Sequence, residues 1–267
     1  MILFKYIIFG LIQGLTEPLP ISSSGHLFLF KYLFNTNTFN DLNFEIILNF
    51  ASFIAIFFIF REDIIRLIKS FLTFIFNSKK RKNKTIKEDF KYCWLIVLGC
   101  VPAGLVGALF KDQIESLISI KLLGISFIVT ALALLFVKNK DGKRLGKDLT
   151  VKDAIIIGLF QMIALMPGIS RSGSVLVGCF LMGLKREDAL KYAFMLYLPV
   201  SIGSFVLGIT DLNIGPHLIG PYIYGFLASM VMTYFASLWF FDVVKKGKLY
   251  KFSVYLVIVG LLCLLVL

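Results

Sequence analysis

Charged residues are scarce in this chain. Only 16% of its 267 residues are Asp, Glu, Lys or Arg, whereas soluble domains carry about 25%. Hydrophobic residues make up 58%, and 28 residues are Phe. A water-soluble globule of this size has no interior large enough to bury so many apolar side chains. The composition therefore excludes a soluble or disordered protein and predicts a single polytopic membrane domain over residues 1–267.

Cysteines are also few, and their spacing excludes two kinds of site. The four cysteines are Cys93, Cys100, Cys179 and Cys263, and no two of them form a CxxC pair. We therefore expect neither a metal site built on thiolates nor a disulfide framework. The thiols lie in or beside apolar runs, which is typical of small side chains that pack between helices.

Lysine and arginine are absent from the connections 32–45 and 209–221, although the net charge is +12. Most basic residues lie in four other connections: 61–91, 138–152, 185–191 and 245–251. Alternation of basic and non-basic connections is the positive-inside pattern of membrane proteins. The charge therefore indicates topology, with the basic connections on the cytoplasmic side, and membrane lipids rather than nucleic acid are the expected partners.

Six apolar segments are predicted to cross the membrane as helices: 46–60, 93–110, 120–137, 189–208, 222–241 and 253–267. Two further apolar segments, 2–30 and 154–184, are interrupted by Pro, Gly, Ser and charged residues. At an offset of 148 residues they share seven identities in the sixteen positions that start at Gly10. Each is followed by three of the six segments, so the halves 1–137 and 138–267 are predicted to be copies of one another.

Because each half crosses the membrane an odd number of times, the second half has the opposite orientation in the membrane. With the basic connections on one side, 154–184 has to enter and leave from the cytoplasmic face, and 2–30 from the outer face. The expected fold is an all-α inverted-topology repeat, with six transmembrane helices around two broken re-entrant helical hairpins. Non-helical backbone at membrane depth is tolerated only where it lines an enclosed cavity, so the hairpin tips 18–25 and 167–173 mark the expected site.

The first tip follows a helix on which Gln13 and Glu17 share one face, because they lie four residues apart. Pro18 and Pro20 end that helix, and a new helix is expected to start near His26. A helix N-terminus leaves backbone N–H groups free to bind an anion. The turn before it supplies hydroxyls and a glycine: Ser22, Ser23, Ser24 and Gly25.

The second tip repeats this arrangement with an arginine. Arg171 is the only basic residue between Lys152 and Lys185, and an ionisable group within such an apolar stretch is a functional candidate. Its guanidinium suits bidentate contact with phosphate oxygens. The neighbouring candidates are Ser170, Ser172 and Gly173. Together the tips predict a phosphate pocket that also holds one carboxylate and one imidazole.

These residue types also have structural interpretations. Ser and Gly allow membrane helices to pack closely, a lone Glu and Arg can form an interior ion pair, and His26 can be a hydrogen-bonded core residue. Glu45 and Asn49 lie at the start of the 46–60 segment. They either approach the pocket or cap that helix, and the cap is the favoured interpretation.

At both tips the sequence resembles the undecaprenyl-diphosphate phosphatase family of bacterial membrane enzymes, the BacA or UppP type. The family patterns are (E/Q)xxxE leading into PxSSxGH, and later PGxSRSG. They correspond here to Gln13 to Glu17, Pro20 to His26 and Pro167 to Gly173, and the resemblance covers essentially the whole chain. It implies hydrolysis of undecaprenyl diphosphate in the bacterial plasma membrane, recycling the lipid for peptidoglycan synthesis, with bacitracin resistance as a consequence.

The resemblance also implies dependence on Mg²⁺ or Ca²⁺, an active site that opens toward the outer face, and essential roles for Glu17, Ser23, His26 and Arg171. Gln13 stands where the family often has a second Glu, so Glu17 is the only anionic metal ligand expected, with Gln13 as a further candidate. The nucleophile stays open among Ser23, His26 and water.

A transporter is the alternative function. Inverted repeats with broken helices are also typical of alternating-access carriers, so a lipid-phosphate flippase or an anion transporter could use the same anion site. His26 close to Glu17 favours a hydrolase, because a carrier has no need of an acid–base group or a metal ligand. The sequence makes no prediction of the oligomeric state.

Overall fold

A computed structural model describes residues 2–34, 42–210, 212 and 214–267. In these ranges the chain is helical and contains no β-strand. The helices are α1 Ile2–Thr16, α2 Ser23–Leu33, α3 Leu42–Ile59, α4 Arg61–Phe76, α5 Lys84–Ser116, α6 Ile120–Val137, α7 Val151–Ile163, α8 Arg171–Leu181, α9 Arg186–Ile209, α10 Ile219–Lys245 and α11 Tyr250–Leu265.

Four of the described helices are long and apolar enough to cross a membrane: α5, α6, α9 and α10. The helices α3 and α4 meet at Phe60 with a bend of 79°, and this pair adds a fifth candidate. The helix α11 has 16 residues, fewer than the roughly 20 that a full span needs. The prediction of an all-α multi-pass membrane protein is confirmed, whereas the number of six crossings stays a prediction.

The two interrupted segments fold alike, each as a helix, a non-helical turn and a second helix of 11 residues. The second helices begin at Ser23 and Arg171, which lie 148 positions apart. Pro18 and Pro20 lie in the first break and Pro167 in the second, and a proline has no N–H with which to continue a preceding helix. At the second break Pro167 is followed by Gly168, whose φ of 86° suits a residue without a side chain.

Close helix crossings hold these segments in place. A Cβ atom at Gly158 in α7 would lie 2.5 Å from the carbonyl oxygen of Gly99 in α5. A Cβ atom at Gly10 in α1 would likewise overlap the carbonyl oxygen of Gly225 in α10. Gly10 and Gly158 are also 148 positions apart, so the first helix of each interrupted segment crosses its neighbour at the corresponding glycine.

Helix α8 lies in the main core and packs against α6, α7 and α9. Leu176 and Cys179 of α8 are fully buried, as is Phe127 of α6. Large apolar side chains on the outer helix faces are exposed, for example Phe136 at 70%. Such faces are stable only against lipid, which agrees with a membrane protein.

An ion pair fixes the start of α7. Arg144 Nη2 lies 2.5 Å from Asp153 Oδ2, and the same carboxylate accepts a hydrogen bond of 2.8 Å from the backbone N–H of Thr150. Burial by itself raises the pKa of Asp153, but the hydrogen bonds from Arg144 and Thr150 outweigh burial and lower the pKa to about 2. The basic connection 138–152 is therefore tied to the helix that leads to the second tip.

Candidate active site

The two tips are in contact, although they are far apart in the chain. The Ser172 hydroxyl donates a hydrogen bond of 2.8 Å to the carbonyl oxygen of Leu19. A Cβ atom at Gly173 would lie 3.3 Å from Cβ of Pro20. Helix packing has thus brought together the two turns that the sequence marked as the site.

A cavity of about 100 Å³ lies between the tips. Its walls come from α1, α2, α3, α8 and the two turns. The residues that line it are Gln13, Glu17, Leu19, Ser22, Ser23, Ser24, Leu27, Glu45, Asn49, Ala164, Ile169, Ser170, Arg171 and Ser172. Three of the predicted site residues are not in this wall: Gly25, His26 and Gly173.

Glu17 is the acceptor for two neighbouring side chains. Gln13 Nε2 donates a hydrogen bond of 3.0 Å to Glu17 Oε2, and the Ser23 hydroxyl donates to the same oxygen. Because the carboxylate accepts the hydroxyl proton, the Ser23 oxygen keeps its lone pairs free for the cavity. A hydroxyl within hydrogen-bond reach of a base has the arrangement of an activated nucleophile, and here the base is a carboxylate.

Asn49 joins this group from α3. Gln13 Nε2 also donates to Asn49 Oδ1 at 2.6 Å. Gln13 Oε1 is buried and has no hydrogen-bond partner among the described residues. Glu45, one turn earlier, lines the cavity and forms an ion pair with Lys31. The favoured interpretation of Asn49 as a plain helix cap is therefore wrong, and the alternative, an approach to the pocket, is confirmed.

Ser22 shapes the turn before α2. Its φ of 69° is the only positive φ of a described residue other than glycine, and such a conformation costs about 1–3 kcal/mol. The Ser22 hydroxyl caps α2 by accepting a hydrogen bond of 3.3 Å from the N–H of Gly25. Its carbonyl oxygen accepts hydrogen bonds from both the backbone N–H and the ring of His26.

Both ring nitrogens of His26 have partners. Nδ1 lies 2.8 Å from the Ser22 carbonyl oxygen, which only accepts, so Nδ1 carries the proton. Nε2 then accepts a hydrogen bond of 2.8 Å from the hydroxyl of Tyr255 in α11. The imidazole also stacks on the Tyr255 ring, with centroids 5.6 Å apart. This is the geometry of a hydrogen-bonded core histidine, and a role for His26 as an acid or base stays a prediction.

Arg171 is the cationic wall of the cavity. Its Nη1 is buried and has no hydrogen-bond partner, and no described carboxylate lies within ion-pair distance of it. Glu17 lines the same cavity without pairing to Arg171. Arg171 as a whole is half-buried, but a buried donor nitrogen without a partner is costly unless a ligand accepts a hydrogen bond from it. The arrangement therefore predicts an anionic ligand.

The N-termini of α2 and α8 both face the cavity. Ser170 caps α8 as Ser22 caps α2, accepting a hydrogen bond of 3.2 Å from the N–H of Gly173. The Ser170 hydroxyl also lies 3.2 Å from that of Ser172. The first turn of a helix leaves several N–H groups without a partner in the helix, and these attract an anion.

Sequence reasoning missed Tyr197 of α9. The side chain is buried and lies under Arg171, with Cζ of the guanidinium 5.5 Å from the ring centroid. It lines a small extension of the site together with Glu17, Arg171 and Ser172. No sequence signal distinguishes it, because a tyrosine in an apolar helix has the pattern of any packing residue.

The model for the family described as "Bacitracin resistance protein BacA" matches residues 6–262 of the chain. The chain belongs to the BacA family. It is 45% identical to "Undecaprenyl-diphosphatase 3" of Bacillus anthracis, over 98% of this chain and 97% of that protein. It is 42% identical to "Undecaprenyl-diphosphatase" of Oceanobacillus iheyensis, over 97% of this chain and 95% of the relative. The family resemblance of the two tips is thereby confirmed.

Proposed function

We propose that this chain hydrolyses undecaprenyl diphosphate to undecaprenyl phosphate and inorganic phosphate in a bacterial plasma membrane. Relatives named undecaprenyl-diphosphatase, which match nearly the whole chain, support this activity. The single observation that carries it is Arg171, whose Nη1 is buried and whose guanidinium has no anionic partner among the described residues, in a wall that also carries hydroxyls and a carboxylate. The product is the lipid carrier of peptidoglycan synthesis, and its supply would explain a link to bacitracin resistance.

The diphosphate binds between the two tips. Arg171 contacts its oxygens through a bidentate guanidinium, and the free N–H groups at the starts of α2 and α8 add donors. The candidate phosphate-binding residues are Ser22, Ser24, Gly25, Ser170, Arg171, Ser172 and Gly173. Donors that are already in place stabilise the charge on the transferring phosphoryl group without reorganisation.

Ser23 is the nucleophile that this geometry favours. Its oxygen attacks the terminal phosphorus while its proton passes to Glu17, and the bond from that phosphorus to the bridging oxygen breaks. Undecaprenyl phosphate leaves and takes that proton from Glu17 on its bridging oxygen, so Glu17 is again a carboxylate. Glu17 then takes a proton from the water that attacks the phosphoserine, and it returns this proton to the Ser23 oxygen as the bond from phosphorus to Ser23 breaks. In the other two routes water or His26 attacks the phosphorus, and the hydrogen bond from Ser23 to Glu17 has no role. Both ring nitrogens of His26 are already in hydrogen bonds with the protein, which favours a positioning role for this residue.

A divalent cation fits beside Glu17. Mg²⁺ and Ca²⁺ prefer oxygen ligands, and the wall offers the Glu17 carboxylate and the unpartnered Oε1 of Gln13, with Asn49 and Glu45 nearby. Among the described residues no group of three His, Cys, Asp or Glu side chains surrounds a metal position, so substrate oxygens would complete the coordination. Such an ion would neutralise charge on the diphosphate.

The fold is proposed to be an inverted-topology repeat of the halves 1–137 and 138–267, with six crossings and two re-entrant hairpins. The common offset of α2 and α8, and of the Gly10 and Gly158 crossings, supports it. The basic connections then lie in the cytoplasm and the cavity opens toward the outer face. Single cysteines at position 80 and position 214, in a variant without native cysteines, should react with an impermeant maleimide from opposite sides of the membrane.

The activity is tested by phosphate release from farnesyl or undecaprenyl diphosphate with purified protein in detergent, in Mg²⁺, in Ca²⁺ and in chelator. Arg171→Ala should abolish release, whereas Arg61→Ala, on an exposed helix start outside the cavity, should keep it. Release that survives in Arg171→Ala contradicts the proposed site. Substrate binding without release, in detergent and in vesicles, would instead favour the flippase or anion transporter.

A further inference from the structure

Tyr197 lies where the polar cavity passes into an apolar extension of about 30 Å³. Glu17, Arg171 and Ser172 line both spaces, and the extension is otherwise lined by apolar side chains of α3, α8 and α9. Tyr197 is 7% exposed. Its hydroxyl is thus a polar group in the apolar part of the wall, next to the charged part.

Two hydrogen-bond donors are unsatisfied at this point. The Tyr197 hydroxyl and Arg171 Nη1 are both buried and have no hydrogen-bond partner in the part of the chain that the structure describes. Glu17 and Ser201 are polar neighbours of Tyr197, yet neither makes a hydrogen bond of acceptable geometry with its hydroxyl. A buried unpaired polar group destabilises the folded protein, so a pair of them in one cavity wall points to a missing ligand.

The missing ligand has to accept hydrogen bonds. Arg171 has donors and no acceptor, and phosphate oxygens are acceptors with negative charge. The face of the Tyr197 ring, 5.5 Å from Cζ of Arg171, attracts the guanidinium and restricts its orientation. Arg171 and Tyr197 line the same space, so a diphosphate group that enters it would face both side chains.

We infer that Tyr197 is a further phosphate-binding residue of this site, whose hydroxyl donates to the substrate diphosphate and whose ring orients Arg171. The inference deepens the proposed function and rests on it for the identity of the substrate. It predicts that the hydroxyl lowers the stability of the free protein while it strengthens the binding of the diphosphate.

The same helix offers a matched control. Tyr192 of α9 is fully buried, but its hydroxyl donates a hydrogen bond of 2.7 Å to the carbonyl oxygen of Leu95. It does not line the cavity. Replacement by Phe removes one buried hydroxyl in each case. The hydroxyl of Tyr192 has a hydrogen-bond partner, whereas that of Tyr197 has none among the described residues. The two variants should therefore show opposite effects.

The test uses farnesyl methylenediphosphonate, which cannot be hydrolysed, with farnesol as the probe that lacks phosphate. Tyr197→Phe should weaken diphosphonate binding roughly 10- to 100-fold, as expected for a hydrogen bond to a charged group. It should raise KM for farnesyl diphosphate, leave farnesol binding unchanged, and keep or raise the melting temperature. Tyr192→Phe should lower the melting temperature and bind the diphosphonate normally.

Wild-type affinity and KM in Tyr197→Phe would overturn the inference. A lower kcat with unchanged diphosphonate affinity would also overturn it, because the hydroxyl would then act on Glu17 or on water rather than on phosphate. Failure of the proposed function has a separate signature. A wild-type protein that binds the diphosphonate and releases no phosphate is not a phosphatase, and the affinity comparison still decides the role of Tyr197.

Discussion

Ser23 and Ser24 provide a direct test of the nucleophile. Both line the cavity, but only the Ser23 hydroxyl is held on Glu17. The side chain of Ser24 is exposed in the free protein. Alanine at either position removes one hydroxyl from the same turn, so the pair separates a chemical role from a general loss of polarity.

The expected magnitudes differ enough to decide. If a serine hydroxyl only donates a hydrogen bond to the charged diphosphate, its loss costs about 1.5–3 kcal/mol, which is roughly 10- to 150-fold in kcat/KM. If Ser23 is the nucleophile, its loss stops the covalent route, and losses of about 10⁶-fold are known for nucleophiles of this kind. We therefore expect Ser23→Ala to lose more than about 10³-fold in kcat and Ser24→Ala no more than about 150-fold in kcat/KM.

The assay is phosphate release from farnesyl diphosphate, with trapping of ³²P on the protein by acid quench during turnover. Labelled wild-type protein, and no label in Ser23→Ala, would support the covalent route. A Ser23→Ala variant within 150-fold of wild type would refute the reasoning and leave water or His26 as the nucleophile. Label that persists in Ser23→Ala and disappears in His26→Gln would instead assign attack to His26.

Three further predictions concern the support of the site. The lowered pKa of Asp153 stabilises the fold above pH 4, and about 2 kcal/mol of this stability should be lost as the pH falls from 3.8 to about 2. Asp153→Asn should lower the melting temperature at pH 7, and the melting temperature of the variant should fall less steeply between pH 3.8 and about 2. An unchanged pH profile of the melting temperature would contradict the ion pair. Gly158→Ala places a Cβ 2.5 Å from backbone and should lower the melting temperature, whereas Gly203→Ala enters open space and should not. If His26 holds the Ser22 turn through Nδ1, His26→Asn should keep more activity than His26→Gln, because the Asn amide nitrogen takes the place of Nδ1. Equal and complete losses of activity in the two variants would instead favour a role of His26 as a base.

Much of the fold follows from local patterns. The scarcity of charge identifies lipid as the solvent, and the prolines at the two tips, which lack an N–H, lie in the breaks between helices. The offset of 148 residues between the two interrupted segments corresponds to the positions at which α2 and α8 begin. Such features depend on neighbours in the chain, so the sequence determined them without knowledge of distant contacts.

It was harder to predict from the sequence which residues line the site. A prediction from spacing shows which residues share a helix face, but the rotation of that face depends on packing against other helices. His26 is not in the cavity wall and contacts Tyr255 instead, more than 200 positions later in the chain. The packing of α3 brings Asn49 into contact with Gln13. The place of Asn49 near the start of its predicted helix had favoured a cap instead.

The sequence by itself determined that this is a helical membrane protein with two serine-rich tips and one arginine among apolar residues. Only the tertiary structure decided that the tips touch through Ser172 and Leu19, that Arg171 has no carboxylate partner among the described residues, and that Tyr197 lies beneath it. Unpaired donors become visible only when all their neighbours are in place. For that reason the demand for an anion is a property of the packed helices rather than of any motif.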